Sequence, residues 1–307
     1  MTTNPFSAMA QAIVDTHGPA LGLQRPEGRT AEPATPPHSL QSAVDQACLQ
    51  MGFDAIDAQT VAAAWAVQSA RLGGFDAQQW PVHASDFGQA PWPREAAFAP
   101  CPRQLGLYVV APDAPWVARL ARAGVPTVQL RFKSADASDI AAEVAAAVKA
   151  IQGTSSLLFI NDHWRQAIAA GAYGVHLGQE DLDGLGNADL ATIRQSGLRL
   201  GVSTHGYAEM LRADKVSPSY IAMGAVFPTT LKRMQTLPQG PGRLAAYARL
   251  MQHYPLVAIG GIDLERLDAV LASGVGSVAV VRAVIAASDP EAEIKRWMHR
   301  IAQPRNG

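Results

Sequence analysis

Charge is scarce in this sequence. Asp, Glu, Lys and Arg make up 17% of its 307 residues, and the formal net charge is −1. There is no basic run and no interleaving of basic with aromatic residues, which argues against nucleic acid as the main partner. Only two cysteines are present, Cys48 and Cys101, far apart and outside any CxxC pattern. That excludes a disulfide framework or a structural zinc site and fits a reducing compartment. No apolar run approaches the ~18–20 residues needed to span a bilayer. The start, "MTTNPFSAMAQAIVDTHGPA", lacks the basic segment and the continuous apolar segment of a secretion signal. These absences lead us to expect a soluble, cytoplasmic protein that acts on small molecules, without a membrane or nucleic-acid partner.

The chain does contain enough apolar material for a large core, at 48% hydrophobic residues. Residues 1–38 mix proline and glycine with alanine and polar residues, which predicts mostly irregular chain. Residues 39–72 read as helical in two pieces broken near Gly52, with Ser39 and Asp57 as candidate N-caps. Residues 73–103, rich in Pro, Gly and Trp, read as an irregular connection. Together 1–103 form an N-terminal extension. It could be a helical appendage packed on the remainder of the chain, an element building a homo-oligomer, or the remnant of a fused domain.

From Leu105 the rhythm changes. Short apolar runs recur, each followed by an alanine-rich amphipathic stretch: "LGLYVVAP", "TVQLRFK", "LLFIND", "YGVHLGQED", "LRLGVSTH", "YIAMGAVF", "PLVAIGGI" and "SVAVVRAV". Near-continuous apolar strands alternating with helices imply parallel strands covered by helices. Eight such units in about 200 residues imply a closed (β/α)₈ TIM barrel over 104–307, with its active site at the C-terminal strand ends.

The second run carries polar side chains at alternate positions, Gln129, Arg131 and Lys133, which therefore share one strand face. Asp162 ends the third run and Asp181 comes after the fourth. Neighbouring strands lie ~4.8 Å apart, so these carboxylates can approach closely enough to share a cation, and two hard oxygen ligands suit Mg²⁺ better than zinc. A lone Asp at this junction is more often a helix cap. The pairing, opposite two cations, favours a clamp for a polyphosphate and its metal. Gly260 and Gly261 end the seventh run, and Val281 and Arg282 end the eighth, where barrels often bind phosphate. Glycines there could equally serve a tight turn. The connection "PTTLKRMQTLPQGPG" is long for its place, so it is a lid or a solvated loop, with Thr229, Thr230 and Lys232 as candidates. His176, between two apolar neighbours, reads as a hydrogen-bonded core histidine, and Trp164 as helix packing. No nucleophile elbow, Walker loop or zinc motif is present.

The segments "QLRFK", "NDHWRQAIAAGAYGVHLGQEDL", "LGVSTH", "GAVFPTTLK", "PQG", "VAIGGI" and "GVGSVAVV" occur in order. Together they resemble the thiamine-phosphate synthase (thiamine-phosphate pyrophosphorylase) family over about residues 104–302. The resemblance implies a transferase that joins hydroxymethylpyrimidine diphosphate to hydroxyethylthiazole phosphate, or to its carboxylated form. Pyrophosphate would leave first, and the thiazole nitrogen would capture the resulting pyrimidine-methyl cation. Carried over by motif, Gln129, Arg131 and Lys133 bind the diphosphate with Asn161 beside them, and Asp162 and Asp181 hold Mg²⁺. Ser203 contacts the pyrimidine substrate, Lys232 the leaving pyrophosphate, and Thr229 with Gly261 the thiazole phosphate. The pattern departs twice: relatives carry a threonine where Leu231 stands, with Thr230 displaced by one, and often a serine where Arg282 stands. A thiazole tautomerase and a non-catalytic binder of thiamine precursors are the alternatives.

Overall fold

A computed structural model describes residues 4–23, 36–229 and 237–303. The chain opens with a helix, α1 (Pro5–Leu21), where the composition of 1–38 predicts irregular chain. The Asn4 side chain accepts the Phe6 N–H at 2.9 Å, and Pro5 supplies a preset backbone at the first helical position. Ala10, Ile13 and Leu21 are buried, at spacings that share one face. Gly18, Pro19 and Gly22 fall in the last turn or just past it, so they end the helix rather than prevent it. Ser39 caps α2 (Leu40–Gln50) through a reciprocal pair with Ser42. Asp54, not Asp57, caps α3 (Ala55–Leu72), accepting the Asp57 N–H at 2.8 Å. Asp57 lies within the first turn, and its carboxyl is used elsewhere. After α3 the chain is irregular except for a short 3₁₀ turn at Ala84–Phe87.

The barrel strands are β1 (Gly106–Ala111), β2 (Thr127–Leu130), β3 (Leu157–Asn161), β4 (Gly174–Leu177), β5 (Arg199–Thr204), β6 (Tyr220–Met223), β7 (Leu256–Ile259) and β8 (Ser277–Val280). They pair in parallel in sequence order, and β8 closes on β1 with Gly106 opposite Ser277. Each strand buries both faces, as closure demands. One face lines the interior with Tyr108, Val110, Phe159, Tyr220, Ala222, Val257 and Ala279. The other packs Val109, Val128, Ile160, Val202 and their neighbours under the helices. Those helices are α4 (Ala114–Arg122), α5 (Ala137–Ala150), α6 (Trp164–Ala170), α7 (Gln179–Asp183), α8 (Asn187–Gln195), α9 (Tyr207–Val216), α10 (Gly240–Leu250), α11 (Leu267–Ala272), α12 (Arg282–Ile285) and α13 (Pro290–Ala302). Among the described residues no helix is long and apolar enough to cross a membrane.

The extension shares its core with α9 and α10. Trp80 Nε1 donates to Tyr207 Oη at 2.8 Å, Phe87 stacks on Tyr207, and Trp65 is fully buried. Arg94 reaches across to Asp214 at 2.9 Å, and Arg243 donates to the carbonyls of Leu21 and Met51, each at 2.8 Å. Burying each large apolar side chain stabilises by roughly 1.5–3 kcal/mol, so several such contacts make the extension part of the folded unit.

Candidate active site

β2 is shorter than the apolar run that predicts it, ending at Leu130. The Arg131 N–H adds one further rung to the Ala111 carbonyl at 2.8 Å. Gln129 and Arg131 share a face but not an environment: Gln129 is buried inside the barrel, whereas Arg131 and Lys133 stand exposed at its mouth. Asn161 ends β3 beside them. Asp162 comes next with a left-handed backbone (φ 64°), uncommon outside glycine although Asp tolerates it. Asp162 does not cap α6, whose N-cap position is His163, without a side-chain cap. Its carboxyl meets that of Asp181, whose Oδ2 accepts the Gly178 N–H at 2.9 Å and closes the first turn of α7.

The enclosure of the Asp162 carboxyl, and then the charge of Asp181, raise it to about 6, against a smaller opposite pull from His163 and Arg131. Asp162 as a whole residue is open to solvent, which weakens the first cause and leaves the facing carboxylate as the one that persists. Two carboxylates that resist ionising together are well suited to a cation between them. Among the described residues no group of three or more His, Cys, Asp or Glu is arranged to hold a metal ion.

Beneath the mouth, a line of polar contacts crosses the interior. Gln129 Nε2 donates to Tyr108 Oη at 3.0 Å, and the Tyr108 and Tyr220 hydroxyls lie 2.8 Å apart. Tyr220 Oη lies 2.6 Å from His176 Nδ1, and His176 Nε2 lies 2.7 Å from Ser203 Oγ. One proton arrangement satisfies every partner. Gln129 donates to Tyr108, Tyr108 to Tyr220, and Tyr220 to Nδ1 of a neutral His176, whose Nε2–H then donates to Ser203. Burial pushes both phenols well above their ordinary range, so they stay neutral. Ser203 keeps its own hydroxyl proton for a group at the mouth. His176 is the buried, hydrogen-bonded histidine that its apolar neighbours predict, and it also orients a candidate site residue.

Across the barrel, Gly260 (φ 105°) and Gly261 (φ 63°) turn the chain out of β7. A Cβ at Gly260 would lie 2.6 Å from Ala225 Cα, and one at Gly261 2.5 Å from the Pro228 carbonyl oxygen. The close approach of the β6 loop therefore explains both glycines by itself. Thr229 lies on that loop, half-buried, while Val281 packs against the interior cluster and Arg282 is exposed at the start of α12. Thr230, Leu231 and Lys232 lie outside the described residues. Two site-supporting residues that motif reading passes over are glutamines. Gln179 Nε2 donates to the Ser203 carbonyl at 2.7 Å, and Gln239 Nε2 donates to the carbonyls of His205 and Gly224. Both occur in motif segments, "GQED" and "PQG", so their positions are visible in the sequence although their partners are not.

Comparison with known proteins places these features in context. A family model described as thiamine monophosphate synthase matches residues 107–284. The thiamine-phosphate synthase of Neisseria meningitidis serogroup A is 56% identical over 200 residues, covering 65% of this chain and 96% of that protein. Its counterpart in Cronobacter sakazakii is 54% identical over 192 residues, covering 62% and 90% respectively. Among solved structures, a thiamine phosphate pyrophosphorylase from Pyrococcus furiosus superposes with a TM-score of 0.57 at 27% identity, over 66% of this chain and 99% of its own. The family match starts after the extension, at Leu107.

Proposed function

The chain belongs to the thiamine monophosphate synthase family, and from that premise we propose how its barrel mouth makes thiamine phosphate. The substrates are hydroxymethylpyrimidine diphosphate and hydroxyethylthiazole phosphate or its carboxylated form. The observation that carries this reading is the Asp162–Asp181 pair at the ends of neighbouring strands, with Arg131 close enough to act on the Asp162 charge.

The chemistry asks for a leaving diphosphate to be stabilised as its bond to the pyrimidine methylene breaks. The bonding electrons depart with the diphosphate, and the thiazole nitrogen supplies the pair for the new C–N bond. Arg131 and Lys133 meet the growing negative charge from just beyond the end of β2, and Lys232, in the connection between β6 and α10, would add a further cation. The Ser203 hydroxyl, held by His176, donates to the pyrimidine substrate, with Gln129 and Asn161 beside it. Thr229, Thr230, Gly260, Gly261, Val281 and Arg282 receive the thiazole phosphate. The guanidinium of Arg282 compensates there for the hydroxyl that Leu231 does not offer.

The carboxylate pair fits a hard divalent cation. Asp162 and Asp181 would hold Mg²⁺, with water and diphosphate oxygens as the remaining ligands, and its charge would offset that of the diphosphate. The two free thiols, Cys48 and Cys101, suit a reducing compartment, which supports a cytoplasmic location.

The test mixes the purified protein with both substrates and Mg²⁺, with and without excess chelator, and measures thiamine phosphate by fluorescence after oxidation to the thiochrome. Mg²⁺-dependent product is expected. Binding of thiazole phosphate without product would overturn the reading in favour of a tautomerase or a precursor-binding protein.

A further inference from the structure

The extension lies outside the family match, yet one of its side chains reaches the start of α9. Ser203 lies next to last in β5, and the backbone running from it through the turn into α9 is held at three points. Gln179 holds the Ser203 carbonyl, Gln239 holds the His205 carbonyl, and Asp57 Oδ1 accepts the Ala208 N–H at 2.9 Å. The first two holders belong to the barrel, at the starts of α7 and α10, and the third comes from α3. We propose that Asp57 is a positioning residue of the active site, a carboxylate delivered by the extension that fixes the start of α9 and, through the turn that precedes it, the end of β5 that presents Ser203. This deepens the proposed function and rests on it.

Two further observations support a fitted contact rather than incidental packing. A Cβ at Gly206 would lie 2.0 Å from Asp57 Oδ2, and φ at Gly206 is −178°, an extended backbone open to any residue. The glycine is therefore required by the carboxylate and not by the turn. Asp57 is also only 5% exposed. Asp54 lies on its own helix, Cys48 faces it from α2, Tyr207 from α9, and Arg243 with Tyr247 from α10. Burial outweighs the backbone N–H groups of Ala208 and Tyr207, and the carboxyl is raised to about 6. At neutral pH the group is ionised at a cost to stability. A cap serving folding alone would do as well as asparagine, which caps helices equally strongly.

The experiment compares full-length wild type with Asp57→Asn and Gly206→Ala, which displaces the same carboxylate from the α9 side. Steady-state kinetics are read for each substrate separately, together with the thermal midpoint at pH 8. For Asp57→Asn we expect a midpoint at or above wild type. KM for the pyrimidine diphosphate should rise roughly tenfold, the size of one lost hydrogen bond in a site, because the carboxylate accepts from both the Ala208 and Tyr207 N–H groups and asparagine replaces one of its two acceptor oxygens with a donor. KM for the thiazole phosphate should stay unchanged. Gly206→Ala should show the same split, and the double variant should be no worse than the poorer single one. Should Asp57→Asn not fold, Gly206→Ala decides. Wild-type values for both substrates in both variants would overturn the inference, and so would equal changes in the two KM values. Either result leaves the proposed function standing if wild type forms product. A wild type that forms none overturns the function itself.

Discussion

At the barrel mouth Arg131 and Lys133 stand exposed and Asp162 faces Asp181, whereas in the contact between extension and barrel the charges are enclosed. There Arg243 is 5% exposed and spends its donors on the carbonyls of Leu21 and Met51, with its guanidinium 3.5 Å over the Phe53 ring. Arg94 and Asp214 pair with side chains only 11% and 6% exposed. The difference comes from where desolvation is met. The charges in that contact were taken out of water on folding and must be satisfied by protein groups. Those at the mouth are open to solvent, so on the proposed function a charged ligand would displace their water and their interaction energy would be released on binding.

Removing a mouth charge should thus damage catalysis and spare the fold, while removing an enclosed one should act on stability or on geometry. The largest effect is expected at the carboxylate pair. Asp162→Asn or Asp181→Asn should lower kcat by roughly 10²–10³-fold, the scale of losing one preorganised electrostatic group, with circular dichroism unchanged. Wild-type turnover in both variants would remove the pair from the mechanism.

Asp57 sharpens the enclosed side. Its carboxyl is raised from 3.8 to about 6, so its protonated form is the one the fold favours. The stability this provides is full below the unfolded value and is lost as pH rises through about 6. Chemical denaturation of wild type and Asp57→Asn at pH 4 and pH 8 should show the variant gaining by up to about 3 kcal/mol across that range. A pH-independent difference would contradict the burial argument.

Arg131→Ala comes next, raising KM for the pyrimidine diphosphate roughly ten- to thirtyfold through loss of charge-assisted hydrogen bonds. Unchanged KM would mean that the clamp is elsewhere. The smallest expected effect is that of Tyr220→Phe, which leaves His176 Nδ1 without its 2.6 Å partner and interrupts the line to Ser203. A five- to tenfold loss in kcat/KM for the pyrimidine substrate should result, with the thiazole side unaffected. Normal kinetics would make the interior line a packing feature only.

The barrel is legible because its signal is local. Eight apolar runs at regular spacing are a property of the sequence, and closure comes from their number. The alternate polar positions of β2 and the carboxylates after β3 and β4 are legible for the same reason, since strand pairing brings successive strand ends to one rim. α1 escapes a reading that weighs the composition of 1–38 as a block. The glycines and prolines beyond the helix then hide the Asn4–Pro5 start and the face of Ala10 and Ile13. Asp57 reads as a cap for its own helix, because nothing in the sequence says that α3 will lie against α9.

By itself, then, the sequence determined which residues are strands, that the strands close, and which polar groups crowd the rim, because these depend on period and order along the chain. Only the tertiary structure decided that Tyr108, Tyr220 and His176 join Gln129 to Ser203, and that Asp57 reaches the start of α9, just past the strand that carries Ser203. Asp57 and Ala208 are 151 residues apart. A hydrogen bond over such a separation is set by how whole elements pack, which no local pattern encodes.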